Sequence, residues 1–178
     1  PEIYFGQADA NWVIIHTDQG EFSGIVENED DATAGFQGDA HGSIGIGNPF
    51  TRALAALSLG DRNVFLSSQL TGDSELLLHR SVIDRADRIA PFLDYDHDPY
   101  MVIADGRLVW VIDAYTSSDA FPGAKRYDGN YLRNGIKVTV DAYTGETNFY
   151  RTAMPDPIAD AYDRIYPGLF KDVSEVPP

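Results

Sequence analysis

Asp94, Asp96 and Asp98 stand two residues apart in the stretch DYDHDP, with His97 between the last two. Alternate carboxylates on a loop can share a hard cation, and this is the spacing that opens a calcium loop. The glycine and the distal bidentate glutamate of such a loop are missing, and Asp98-Pro99 also reads as a turn leading into a strand. Calcium on these three aspartates is the one cofactor expectation the residues offer. It competes with a plain solvated acidic turn.

A second pattern is a repeat. Asp-Ala-Tyr-Thr occurs at Asp113 and again at Asp141, each time at the end of a strand-like run. The bland reading is two strand-to-turn junctions of one sheet, the second turning through Gly145. The sharper reading brings Asp113 and Asp141 together around a cation.

Other constellations are weaker. GDAHGSIGIGNPF runs from glycines into a helix start, where free N–H groups can hold an anion, but it lacks the P-loop lysine. His16, His41, His79 and His97 are scattered without an H-E-x-x-H pair, so the usual signature of a zinc hydrolase is absent. Ser67, Ser68, Ser117 and Ser118 have no nucleophile elbow around them. RSVIDRADR reads as an exposed, salt-bridged helix face. No catalytic residue is expected from these spacings.

Composition narrows the partners. The 178 residues carry a net charge of -15 and no cysteine. Disulfides, thiolate catalysis and cysteine-type zinc sites are excluded. Nucleic acid is not an expected partner, because phosphate contacts need lysine and arginine. No apolar run approaches the ~20 residues of a membrane span. The chain opens on Pro1 and closes on Pro178, and it reads as a single α+β domain, or part of one, cut from a longer protein.

These residues must be held by elements the sequence punctuates clearly in places. NWVIIHT is a strand, and residues 20–47 form a long acidic, glycine-rich loop. A helix follows with Asn48 as cap, Pro49 first and Gly60 as stop. NVFLSSQL is open between strand and short helix. SELLLHRSVIDRADRIAPFL reads as helical, with Ser81 and Asp84 as a second possible helix start inside it. YMVIADGRLVWVIDAYT and NGIKVTVDAYTGETNFYR each make two strands around a glycine turn. Leu108 to Ile112 is apolar on both faces, as in a central strand. A last helix starts at Asp156-Pro157. The expected fold is α+β: a four-stranded antiparallel meander in the C-terminal half packed by helices, after a mainly helical N-terminal half with at least one strand. Tyr115, Phe121, Tyr127, Tyr131, Tyr143, Phe149 and Tyr150 fill the sheet–helix interface or, alternatively, form a recognition surface.

PEIYFG, APFLDYDHDPY, GRLVWVIDAYTSSDAFP, NYLRNGIKVTVDAYTG and DPIADAYDRIYPGLF resemble, in order and over nearly the whole chain, the extracytoplasmic segment of a bacterial membrane-protein family, uncharacterised protein family 0182. Gly135 stands where that family usually has serine. The resemblance implies transmembrane helices outside these residues, a place on the outer side of the cell membrane, and no known activity to carry over. VTVDAYTGETNFY also resembles, more locally, the strand-turn-strand of PepSY domains, which implies a binding role. The expected function is non-catalytic binding or scaffolding in the envelope, toward a protein, peptide or polysaccharide. The alternatives are an envelope hydrolase fragment and an accessory domain of a transporter or channel.

Overall fold

The computed structural model describes residues 3–8, 12–18, 35–123 and 130–176. Residues 20–34 of the acidic loop, and Tyr127, lie outside them. The chain folds into two compact units, Ala10–His79 and Ile3–Asp9 with Arg80–Pro178.

The first unit holds strands β1 (Trp12–Thr17) and β2 (Ile44–Gly45), helices α1 (Pro49–Leu59) and α2 (Arg62–Leu66), and strand β3 (Leu70–Leu78). Its sheet runs β1-β3-β2, with both pairings antiparallel. Asn48 caps α1 by accepting the Thr51 N–H at 2.9 Å, Pro49 occupies the first turn, and Gly60 ends the helix in the left-handed region. Ile46, Ala55, Val64 and Leu76 form the core, with Trp12, Ile14, Ala56 and Leu59 packed on it.

The expectation of a mainly helical N-terminal half is corrected here. Leu70 to Leu78 is a nine-residue strand, and only Val82–Ile89 of the expected helix is helical. The reason is burial. As a strand, the leucine run puts Leu76 and Leu77 on opposite faces and buries both, each stabilising the fold by about 1.5–3 kcal/mol. Gly47 fits because a Cβ there would stand 1.8 Å from the Gly72 carbonyl oxygen, so backbone approaches backbone.

The second unit continues with α3 (Val82–Ile89), β4 (Asp94–Tyr95), β5 (Tyr100–Ala104), β6 (Arg107–Ser118), β7 (Tyr131–Asp141), β8 (Thr147–Arg151), α4 (Pro157–Ile165), β9 (Phe170–Asp172) and a 3-10 turn at Val173–Glu175. Ser81 caps α3, accepting the Asp84 N–H. The second helix start that the sequence offers is therefore the one used.

The meander β5-β6-β7-β8 forms as expected, all antiparallel, but the sheet has six strands rather than four. β6 is twelve residues long and β5 only five, so the far part of β6 pairs with β4 as well. The chain leaving α4 returns alongside β8 as parallel β9. Asp105 and Gly106 both have positive φ, as the tight β5–β6 hairpin demands.

Alternation sorts the side chains onto two faces. Ile112, Ala114, Val138, Val140 and Phe149 share one face and are buried. Helices reach this face: Arg85 of α3 donates to Thr147 Oγ1 at 3.2 Å, and Arg151 pairs with Asp160 of α4. Phe92 stacks on Tyr162 and Tyr166, with centroids 4.1 and 5.0 Å away. The segment 3–8 closes the open end. Tyr4 and Phe5 N–H groups donate to the Ala142 carbonyl, and Trp110 Nε1 donates to the Phe5 carbonyl at 2.9 Å.

Candidate functional site

The opposite face of the six-stranded sheet carries the candidate site. Val102 of β5 and Val109 and Val111 of β6 form an apolar floor, Thr139 and Asp141 continue it on β7, and Asn148 and Tyr150 on β8. Arg107, Glu146, Lys171 and Glu175 stand around it, enclosing a groove of about 330 Å³. Val109 and Val111 are half-buried there, while Ile112 and Ala114 on the helix side are fully buried.

Around the floor one ion pair and several hydrogen bonds hold the polar side chains in place. Arg107 Nε lies 3.3 Å from Asp141 Oδ2. Asp141 Oδ1 also accepts the Tyr143 and Thr144 N–H groups, at 2.9 and 2.7 Å, and so shapes the β7–β8 turn. Lys171 Nζ donates to Asn148 Oδ1 at 2.7 Å, Asn148 Nδ2 donates to Glu146 Oε1 at 3.2 Å, and Glu175 accepts the Asp172 N–H in a capping box. An apolar floor inside a ring of paired polar groups has the anatomy of a binding surface.

A second concavity, a cleft of about 550 Å³, lies on the helix side and is lined by Gln7, Ser81, Ile83, Asp84, Asp87, Leu93, Asp94, Tyr95 and His97. Serine, histidine and aspartate all border it, yet the links of a triad are missing. The Ser81 hydroxyl caps α3, and Asp84 pairs with Arg88 at 3.2 Å. Tyr95 donates its hydroxyl to the Ala86 and Ala90 carbonyls, at 3.0 and 2.8 Å. Burial, and then the nearby Asp87 charge, push the Tyr95 phenol well above its ordinary range. Its proton is therefore committed to the helix end.

The three aspartates of DYDHDP follow a strand into a turn. Asp94 lies in β4, opposite Tyr115. Asp96 donates its N–H to the Asp113 carbonyl at 2.9 Å, and its Oδ1 accepts the Asp98 N–H at 3.1 Å. Among the described residues, no group of three or more histidine, aspartate or glutamate side chains is arranged to hold a metal ion.

The repeated tetrapeptide divides into two different situations. Asp141 does close β7 and turn the chain. Asp113 lies inside β6, which runs on to Ser118, because β7 is long enough to continue the ladder to Ser118↔Tyr131 beyond a bulge at Ala114/Thr116. Expecting the first copy at a strand end is therefore corrected. Asp113 faces Lys137 across the ladder and Asp141 faces Val109, four β6 residues away, or about 13 Å along the strand. Asp113 instead makes an ion pair with Lys137 and accepts from Asn134 Nδ2 at 2.9 Å.

The sequence marks Asp156 only as a helix cap. In the structure it is 2% exposed and central. Thr116 Oγ1 donates to its Oδ2 at 2.5 Å, and Tyr131 OH to its Oδ1 at 2.8 Å. The Ile158 and Ala159 N–H groups donate to the same Oδ1. Burial alone would raise this carboxyl's pKa, but the hydrogen bonds from Thr116, Tyr131, Ala159 and Ile158 outweigh it and hold the group below its usual range. This cluster fastens α4 to the sheet. The groove floor is likewise unmarked in the sequence; its only signal is an apolar run on both faces of β6 when helices reach just one.

The chain belongs to the uncharacterised protein family UPF0182, whose model matches residues 1–178. It is 44% identical to a UPF0182 protein of Clostridium perfringens, over 99% of this chain and 19% of that protein. It is 41% identical to one of Pelotomaculum thermopropionicum, over 99% and 19%, and 43% identical to one of Cupriavidus necator, over 96% and 19%. The chain thus spans about a fifth of the length of the curated relatives it matches. No solved structure matches it. The PepSY likeness is not shown; the residues behind it are the β7–β8 hairpin of the long sheet. No helix among the described residues is long and apolar enough to cross a membrane.

Proposed function

We propose that this segment of a UPF0182 protein is a non-catalytic binding or scaffolding part of a larger bacterial membrane protein, placed on the outer side of the membrane, and that its site is the sheet-face groove. The groove carries the reading. Its floor of Val102, Val109 and Val111 offers apolar contact, and its rim carries charges of both signs in Arg107, Glu146, Lys171 and Glu175, so it suits an extended or flat partner surface with an apolar centre and polar edges. An envelope protein or peptide, which brings apolar side chains to that floor, fits this chemistry better than a polysaccharide. The small share of its relatives' length supports a role as one part of a larger machine.

The test is site-specific photocrosslinking in the full-length protein, in its own membrane. A benzophenone side chain at Val102 faces the groove, and one at Ile103 faces the other side of the same strand. A discrete adduct from position 102, absent from position 103 and lost with Val111→Arg, is the expected result. Equal adducts from both positions, or none, would overturn it. Turnover of an ester, phosphoester or peptidoglycan fragment that Ser81→Ala or His97→Ala abolishes would favour a hydrolase in the acidic cleft instead.

A further inference from the structure

Helix α1 is apolar on two opposite sides. Ala55, Ala56 and Leu59 face the core of the first unit. Phe50, Leu54 and Leu57, spaced four and then three residues apart, share the other side and are 73%, 51% and 80% exposed. α2 packs against α1 and adds Phe65 and Leu66, 47% and 74% exposed. A helix with a second apolar side has a second surface to cover, and large exposed apolar patches mark interaction surfaces.

Charge says what kind. The whole chain has 28 acidic residues, yet Pro49 to Leu66 contains only Asp61, and that side chain caps α2 by accepting the Asn63 N–H at 2.9 Å. Arg52 turns inward, donating to the Ile46 and Leu70 carbonyls. Arg62, exposed at the start of α2, is the remaining charge, so the surface carries little charge in a chain of net charge -15. Arg62 alone falls short of the Lys- and Arg-rich fringe of a helix that lies on lipid, and the chain's overall charge opposes an anionic membrane surface. Meanwhile about four-fifths of the length of its relatives lies outside the matched region.

We propose that the outward side of α1 and α2 is an internal interface of the full-length protein, seated against an apolar segment of the same polypeptide outside residues 1–178. This surface lies in the first unit and does not depend on the groove of the second.

These 178 residues contain no cysteine, so single cysteines report cleanly within them. Leu57→Cys and, separately, Leu54→Cys are introduced into the full-length protein. Each is labelled with a maleimide in membranes, in detergent and in denaturant. Neither leucine is part of the core of residues 1–178, so neither substitution opens a cavity there. Labelling roughly tenfold slower in membranes and in detergent than in denaturant is expected, as for any covered position. A cysteine-anchored photocrosslinker should then join position 57 to a peptide of the same polypeptide outside residues 1–178. Full labelling of the native protein overturns the proposal. So does protection that disappears in detergent, which means lipid. Crosslinks confined to residues 1–178, or joining isotopically distinct copies, overturn it as well.

Discussion

Replacing Asp156 tests how α4 is fastened to the sheet. Asp156→Ala removes a helix cap, at a cost of about 1 kcal/mol. It also leaves the fully buried Thr116 hydroxyl without its acceptor, which costs a further 1–3 kcal/mol or so. The expected loss is about 3 kcal/mol, most of it from Thr116. Tyr131 is only half-buried and can turn to water, so it adds little. Asp156→Asn should cost less, about 1 kcal/mol, because the amide oxygen still caps α4 and Thr116 can accept from the amide nitrogen. The pH dependence separates the charge from the shape. The Asp156 carboxyl titrates lower in the folded protein than an ordinary aspartate does. Its contribution is therefore present above the unfolded pKa and disappears as the pH falls through the folded one. Urea unfolding of the native chain and of Asp156→Asn, from about pH 7 down to about pH 2, should show the stability gap closing on the acid side. A gap that stays constant over that range, or an Asp156→Ala cost no larger than a helix cap, would refute the reasoning.

Three further outcomes follow from local geometry. Gly145→Ala should destabilise the second unit by about 2 kcal/mol, because φ is 72° there and the new Cβ would meet the Phe5 ring at 2.5 Å; an unchanged urea midpoint and unchanged Trp110 fluorescence would contradict this. Gly47→Ala should break the β2–β3 pairing, since its Cβ would lie inside the Gly72 carbonyl, and hydrogen exchange should quicken at Ile46, whose N–H donates to the Ser74 carbonyl; retained protection would refute it. Calcium should raise the melting midpoint no more than sodium chloride of equal ionic strength, because Asp96 is engaged in a turn with Asp98; a calcium-specific rise abolished by Asp96→Asn would contradict that.

What the sequence makes legible is local. Asn48, Pro49 and Gly60 punctuate α1, Asp156 and Pro157 open α4, and Asp105-Gly106 turns the first hairpin, because caps and tight turns are decided within a few residues. The leucines of β3 mislead because an apolar run of that length suits a helix or a doubly buried strand, and the partners β1 and β2 decide between them. β4 and β9, two and three residues long, carry no pattern of their own and exist through pairing with β6 and β8. Asp156 is visible as a cap, but Thr116 and Tyr131 lie 40 and 25 residues before it. The groove depends on which face of β6 the helices reach, and no single strand encodes that.

The strap at residues 3–8 sets a schedule for making the protein. Phe5 is fully buried, its N–H bonded to the Ala142 carbonyl and its own carbonyl to Trp110. Of the described residues these leave the ribosome first, yet their partners arrive more than a hundred residues later. At about 5–20 residues per second, that wait is on the order of ten seconds. The unit at residues 10–79 is fully synthesised during it, and among the described residues its strands pair within their own sheet. The second unit cannot close until the β7–β8 turn has emerged to receive the Phe5 ring. The first of the described residues to be made are thus among the last to find their place, and until then an aromatic anchor stays open to whatever helper or hazard meets the nascent chain.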